Sequence, residues 1–309
     1  MKRIVVTGGA GFLGSHLCEA LLLRGDAVIC IDNLSTSEFR NVQHLLEVKN
    51  FAFINSDVSL GITINDGVDC VVHLASPASP PEYLKLALET LAVGSRGTEH
   101  CLKLSKEKNA RFIMASTSEI YGDPLVHPQP ESYWGNVSSV GPRSVYDEAK
   151  RFAEALTVAY STYEGVDAGI IRIFNTYGPR LRRGDGRVVS NFISQAIESQ
   201  DLTIYGDGLQ TRSFWFVSDL IVGIIKMIDN VGFLGPVNLG NPEEIMIKDL
   251  AEIILNMTSS RSKIKYKESP VHDPIRRRPN IDLAFKELNW SPVVSLNSGL
   301  SQTIEWFSM

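Results

Sequence analysis

The chain opens with short, continuously apolar runs separated by longer stretches in which apolar positions recur every third or fourth residue. The runs are Ile4–Thr7, Ala27–Ile31, Phe51–Asn55, Cys70–Leu74, Phe112–Ser116 and Gly169–Ile173. A strand with one wet face alternates apolar and polar residues. A strand covered on both faces does not, so these runs predict a parallel sheet with helices on either side. Between them, Leu13, Leu17, Ala20 and Leu21, and later Phe152, Ala153, Leu156, Ala159 and Tyr160, fall at helical spacing. Repeated strand–helix–strand order predicts right-handed crossovers and an α/β fold built on a doubly wound, mainly parallel sheet. Beyond residue 175 the pattern becomes irregular, with Gly, Pro and Arg frequent at 178–187 and again at 270–280. The expected organisation is a core domain over 1–177, rejoined by part of 208–240, and a smaller C-terminal substrate-binding lobe over 178–309.

Composition narrows the function classes. Hydrophobic residues at 44% and charged residues at 21% are ordinary globular values. A net charge of -5 argues against nucleic acid as the main partner, since phosphate neutralisation needs a basic surface. Cys18, Cys30, Cys70 and Cys101 show no metal or redox spacing, so no metal is expected and the thiols read as small buried hydrophobes. No apolar run approaches the roughly 20 residues that span a bilayer. The first strand, starting at Arg3, leaves no room for a leader, so a cytoplasmic protein without a membrane partner is expected.

The first apolar run is followed by Gly8-Gly9-Ala10-Gly11-Phe12-Leu13-Gly14, with glycines spaced G-x-x-G-x-x-G before a helical segment. Such a turn lets backbone approach a pyrophosphate, and the helix N-terminus offers it N–H groups, as in a Rossmann sheet. The second run leads to Asp32, whose carboxylate can accept both ribose hydroxyls and would repel a 2′-phosphate, which favours NAD over NADP. Asp57 and Val58 follow the third run and could meet the adenine edge. His73 and then Leu74, Ala75 and Ser76 close the fourth, with His73 read as a packed structural residue.

Tyr146 and Lys150 form Y-x-x-x-K, which on a helix puts both side chains on one face. A lysine one turn from a tyrosine is expected to stabilise its phenolate and to hold the nicotinamide ribose. Thr117, Ser118 and Glu119 follow the fifth run, at the carboxyl edge of the sheet where ligands of such folds bind. Thr117 can share a hydrogen bond with the Tyr146 oxygen. Arg180, Arg182, Arg183, Arg187, Arg212 and Arg276 to Arg278 concentrate in the second half, suited to phosphate or carboxylate.

The glycine turn, Thr117 and Tyr146-x-x-x-Lys150 together resemble the extended short-chain dehydrogenase/reductase superfamily, and Ser118-Glu119-Ile-Tyr-Gly-Asp123 resembles its sugar-nucleotide branch. Within it, several stretches resemble the UDP-glucuronate decarboxylases (UDP-xylose synthases). These are His73-Leu-Ala-Ser-Pro-Ala-Ser-Pro-Pro81, Tyr133-Trp-Gly-Asn136, Gly141-Pro-Arg143, Arg172-Ile-Phe-Asn-Thr-Tyr-Gly-Pro-Arg180 and Asp185-Gly-Arg-Val-Val-Ser-Asn-Phe192. The likeness covers nearly the whole chain.

The resemblance implies NAD-dependent decarboxylation of UDP-glucuronate to UDP-xylose through a 4-keto intermediate, with hydride returned to C4. Thr117, Ser118, Glu119, Tyr146 and Lys150 would be catalytic. Gly8, Gly11, Phe12, Leu13, Gly14, Asp32, Asn33, Thr36, Asp57, Val58, Leu74, Ala75 and Ser76, with Tyr146 and Lys150, would hold NAD. Tyr83, Glu119, Asn175, Arg187, Val189, Tyr205, Gln210, Arg212 and Arg277 would hold the UDP-sugar. A homodimer is implied through the Tyr146 helix and the helix before it. Related 4,6-dehydratases carry an acid before the glutamate, whereas here position 118 is serine, which disfavours dehydration. A 4-epimerase or an enzyme releasing the 4-keto sugar is the nearest alternative. A non-catalytic nucleotide-binding protein is the remote one, opposed by the survival of Tyr146, Lys150, Thr117 and Glu119. The chain departs from the family pattern at Thr36-Ser37, Glu82, Val93-Gly94 and Asn280.

Overall fold

A computed structural model describes residues 1–268 and 276–309. The stretch expected to be irregular at 270–280 thus lies partly outside the described residues. Each apolar run forms a strand: β1 (Arg3–Thr7), β2 (Ala27–Asp32), β3 (Phe51–Asn55), β4 (Cys70–His73), β5 (Arg111–Thr117) and β6 (Ala168–Ile173). With β11 (Val237–Leu239) they make one sheet in the order β11-β6-β5-β4-β1-β2-β3, every pair parallel. The short strand β4 stops at His73, one residue before the expected end.

Apart from the outer strand β3, which is largely exposed, the sheet is buried on both faces, as continuous apolar runs require. Side chains alternate between two cores. Ile4, Val6, Val28, Cys30 and Val72 point to one, with α1 (Phe12–Leu23) and α8 (Val217–Asp229). Val5, Ile29, Ile31 and Val71 point to the other, with α5 (Thr98–Lys108) and α6 (Ser144–Glu164). Each such aliphatic side chain contributes about 1.5–3 kcal/mol on burial. On this second face, α3 (Pro80–Lys85) and α4 (Ala87–Ala92) lead through a π-helical turn at Val93–Gly97 into α5.

The remaining elements are shorter. α2 (Arg40–Gln43) follows β2, and β7 (Thr176–Tyr177) pairs with β10 (Trp215–Phe216). Outside the central sheet, β8 (Leu202–Tyr205) lies against β13 (Ile264–Lys267), and β9 (Thr211–Ser213) between β12 (Glu244–Met246) and β14 (Arg276–Arg277). Around these pack α7 (Val188–Ile197) and α9 (Ile247–Thr258), with α11 (Leu296–Ser308) against both, while α10 (Asp282–Leu288) packs on β11 and α8.

Strand order reverses beside β1. The chain steps outward through β2 and β3, then returns to β4 on the other side of β1. A crevice opens there, outside the carboxyl ends of the strands. The glycine turn after β1 and Leu74–Ser76 after β4 meet in it.

Candidate active site

The turn after β1 is tight because its glycines leave no room for side chains. Gly8 has φ +69°, and a Cβ on it would lie 2.7 Å from the Ala75 nitrogen. A Cβ on Gly14 would lie 2.1 Å from the Gly8 carbonyl oxygen. The helix α1 begins at Phe12 with no side-chain cap, so its first amides stay available to an anion. The cleft over this turn is lined by every residue expected to hold the cofactor except Tyr146 and Lys150.

Asp32 is buried and more committed than the sequence suggests. Its Oδ2 accepts from the Ala10 amide (3.0 Å), and its Oδ1 accepts from the Leu34 amide (2.8 Å) and the Ser37 hydroxyl (2.7 Å). An ionised carboxylate offers about four acceptor positions. Asp32 therefore has room for one more donor, and a second only by displacing Ser37. Asn33 donates to Asp57 Oδ2 (3.1 Å), tying the ends of β2 and β3 together.

A second cavity, of about 940 Å³, adjoins the first and shares Leu13, Leu74, Ser76 and Arg187 with it. It is lined by all five expected catalytic residues and by all nine expected substrate residues. Tyr146 is buried in its wall, its ring stacked on Tyr83 at 5.1 Å and 9°. Lys150 Nζ donates to the Ala115 carbonyl (2.9 Å) and lies 5.9 Å from the Tyr146 ring centre. Burial dominates both side chains. Burial pushes the phenol well above its ordinary range, the Thr117 hydroxyl pulls it back, and Glu119 adds to the rise. Lys150 itself is drawn down to about 8, by burial, with Glu154 opposing. Burial thus disfavours the charged form of each.

Glu119 sits in a short 3-10 turn after β5, its amide held by Thr117 Oγ1 at 3.2 Å. One oxygen accepts from Arg277 and the other from Arg143. Burial opposes ionisation, but Arg277, Arg143 and Arg212 overcome it and hold the carboxyl below its usual range. Arg277 also donates to the Gly122 carbonyl (2.7 Å) and lies 3.4 Å from Ser118 Oγ. In this structure Arg277 is therefore a partner of Glu119 rather than an open anion receptor. Arg143 was not among the expected site residues. Its signal was the Gly141-Pro-Arg143 stretch, which places it at the N-terminus of α6, four residues before Asp147.

Other arginines are also spoken for. Arg187 pairs with Asp185, Arg180 with Glu19 and Arg182 with Glu82. Glu82, one of the departures, thus fastens α3 to the 178–187 segment. At another, a Cβ on Gly94 would lie 2.7 Å from Ala149 Cβ, so α6 packs directly on the π-turn. Asn280 accepts from the Asp282 amide (2.9 Å) ahead of α10. His73 is structural, its Nδ1 2.7 Å from Thr7 Oγ1.

Residues 4–240 match the model of the NAD dependent epimerase/dehydratase family. The chain belongs to that family. It is 50% identical over 307 residues to UDP-glucuronic acid decarboxylase 1 of Danio rerio, covering 99% of this chain and 73% of that protein. Among solved structures, the UDP-N-acetylglucosamine 4-epimerase of Methanobrevibacter ruminantium superposes with a TM-score of 0.91 at 28% identity, over 99% of this chain and 98% of the other. The UDP-glucuronic acid 4-epimerase of Bacillus cereus, solved with UDP-glucuronic acid and NAD, gives 0.83 at 29% identity, again over 99% and 98%.

The residues present fit the family's NAD. Gly8 and Gly14 leave a cradle that a Cβ would fill, the first amides of α1 face it, and Asp32 stands at one end. Tyr146 and Lys150 line the adjoining cavity. Among the described residues no cluster of His, Cys, Asp and Glu could hold a metal, and all four cysteines are buried free thiols.

Proposed function

We propose that this enzyme converts UDP-glucuronate to UDP-xylose and carbon dioxide with no net oxidation. The observation that carries the proposal is the half-identical decarboxylase relative spanning almost the whole chain, joined to a cavity in which Tyr146, Thr117 and Glu119 converge. NAD supplies an acceptor that takes the C4 hydrogen and later gives it back. Everything else falls to side chains of this chain.

Tyr146 takes the proton of the C4 hydroxyl, with Thr117 bridging phenol and sugar. The resulting 4-keto sugar carries its carboxylate β to the carbonyl, so carbon dioxide leaves and the electron pair flows into an enolate. Tyr146 and Thr117 donate to the enolate oxygen. Glu119 manages the proton at C5. Arg143 and Arg277 both reach this wall, and their guanidinium groups suit a uronate. Ser118 is buried beside Arg277 and offers no acid for a leaving hydroxyl, in keeping with decarboxylation rather than dehydration. Asn175, Arg187, Val189, Tyr205, Gln210 and Arg212 would hold the UDP portion at the far end of the cavity.

We further propose a homodimer. Leu84, Leu88 and Leu91 on α3 and α4 are exposed, as is Phe152 on α6, and together they present an apolar face that a second copy would cover. No described helix is long and apolar enough to cross a membrane. The four free thiols suit a reducing cytosol, where we place the enzyme. The test is incubation with UDP-glucuronate and NAD. Carbon dioxide and a pentose product support the proposal. An intact hexose product points to an epimerase and overturns it.

A further inference from the structure

Decarboxylation of a uronate consumes one proton per turnover. Carbon dioxide leaves neutral, the electrons of the broken C5–C6 bond stay on the sugar, and a C5–H bond must form. The proton Tyr146 takes from the C4 hydroxyl returns to that oxygen when C4 is reduced, so it does not meet this need. Glu119 is held as a carboxylate by two arginines and has no proton to give at the outset.

On the basis of the reaction proposed above, we infer that Asp147 is the proton store of the site, a buried carboxylic acid that recharges Glu119 for delivery to C5. Asp147 follows Tyr146 in α6, one turn after Arg143 and one turn before Arg151. Arg143 reaches Glu119, and Arg151 donates to the carbonyls of Ile120 (3.0 Å) and Trp134 (2.8 Å). This stripe of the helix therefore runs along the 118–121 turn that carries Glu119. Asp147 is only 5% exposed, and among the described residues its Oδ1 has no hydrogen-bond partner.

A carboxylate with one buried oxygen unpartnered is costly in such a place, while the neutral acid is much less so. The charged groups facing it are Glu119 from the turn, Arg277 from β14, and Arg143 and Glu148 from its own helix. Burial first, then Glu119, pushes its carboxyl up to about 7, against the two arginines. Two neighbouring carboxyls whose affinities are driven apart leave the proton on Asp147 at rest, so its passage to Glu119 is uphill and is drawn forward by the more basic enolate. In the step, the Asp147 O–H bond breaks, its electron pair stays on Asp147, and an O–H bond forms on Glu119. That bond then breaks as the enolate electrons form C5–H. Glu119 is a carboxylate again, and Asp147 recovers a proton from solvent.

Asp147→Asn keeps the shape and neutrality of the acid but cannot give up a proton in this way. With UDP-glucuronate as substrate, kcat is expected to fall on the order of 10²-fold while KM holds. The wild-type decline in kcat as pH rises through about 7 is expected to vanish. The near-ultraviolet absorbance of reduced nicotinamide is expected to rise at steady state, because the decarboxylated sugar waits for its proton before C4 is reduced. Asp147→Glu restores a carboxyl and is expected to recover part of the rate with a displaced pH limb. Wild-type kcat and an unchanged pH profile in the Asn variant overturn the inference, as does a loss confined to KM or to melting temperature. Should the Asn variant not fold, an unmoved pH limb in the Glu variant overturns it equally. Carbon dioxide release by the wild type is measured alongside. Its absence defeats the reaction itself, whereas its presence with an unaffected Asn variant defeats only the role of Asp147.

Discussion

Glu119→Gln probes the charge cluster at the centre of the site. The change keeps the shape of the side chain and removes the carboxylate that accepts from both Arg143 and Arg277. Removing one partner from a buried ion pair costs about 3–5 kcal/mol, because the other is left uncompensated. Two features of this cluster favour the lower end. Arg277 keeps its bond to the Gly122 carbonyl, and Arg143, whose side chain is 23% exposed, can turn toward water. A loss of about 3 kcal/mol is expected. For a chain of this length that corresponds to a melting point roughly 6 °C lower. The pH dependence fixes the sign. The folded-state affinity of Glu119 for protons lies below its ordinary value of 4.5, so its stabilisation is complete above that pH and fades as pH falls through the folded-state value. Calorimetric melting of both proteins should show a gap at neutral pH that closes in acid. Equal melting points at neutral pH, or a gap indifferent to pH, would refute the electrostatic reasoning.

Other substitutions isolate other parts. Tyr146→Phe keeps the ring stacked on Tyr83 and removes only the hydroxyl, so turnover should drop on the order of 10²–10⁴-fold with NAD affinity unchanged; a near-normal rate in steady-state kinetics counts against Tyr146 as the base. Gly14→Ala places a Cβ 2.1 Å from the Gly8 carbonyl. It should weaken NAD binding in a fluorescence titration and cost about 1–3 kcal/mol of stability, and undiminished affinity would contradict the cradle. His73 is depressed from 6.5 to about 3 by burial, with Lys150 adding to the effect. The folded protein therefore resists its protonation, and stability should fall as pH drops from 6.5 toward 3, by about 4 kcal/mol for this residue alone. His73→Gln should flatten that part of the profile in chemical denaturation, and an unchanged acid limb would show His73 to be immaterial to it.

Much of the fold was legible because burial on both faces leaves an unambiguous apolar run. All six runs became strands, and β1, β2 and β3 ended within a residue of expectation. The part outside the central sheet was not legible in detail. Its strands are two to four residues long, and Arg276–Arg277 carries no apolar signal at all. The π-turn at Val93–Gly97 also left no periodic trace, since what demands it is the close approach of Gly94 to Ala149 across the chain. At the site, residue types and spacing picked out side chains that the structure gathers in one cavity, but not their pairing. Arg277 looked like an anion receptor and closes on Glu119, while Arg143 joins it from a stretch that had suggested only family likeness. Arg277 and Glu119 lie 158 positions apart and Arg143 and Glu119 lie 24 apart across a loop, and one-dimensional spacing encodes neither pairing.

The central claim is that one hydrogen leaves C4 and comes back to the same carbon after the carboxylate is gone. UDP-glucuronate deuterated at C4, turned over in ordinary water and read by mass spectrometry and proton NMR, tests it directly. The expected product is a UDP-pentose that retains the C4 deuterium and has gained an ordinary hydrogen at C5. A hexuronate product, or a pentose whose C4 label has been lost, would contradict it.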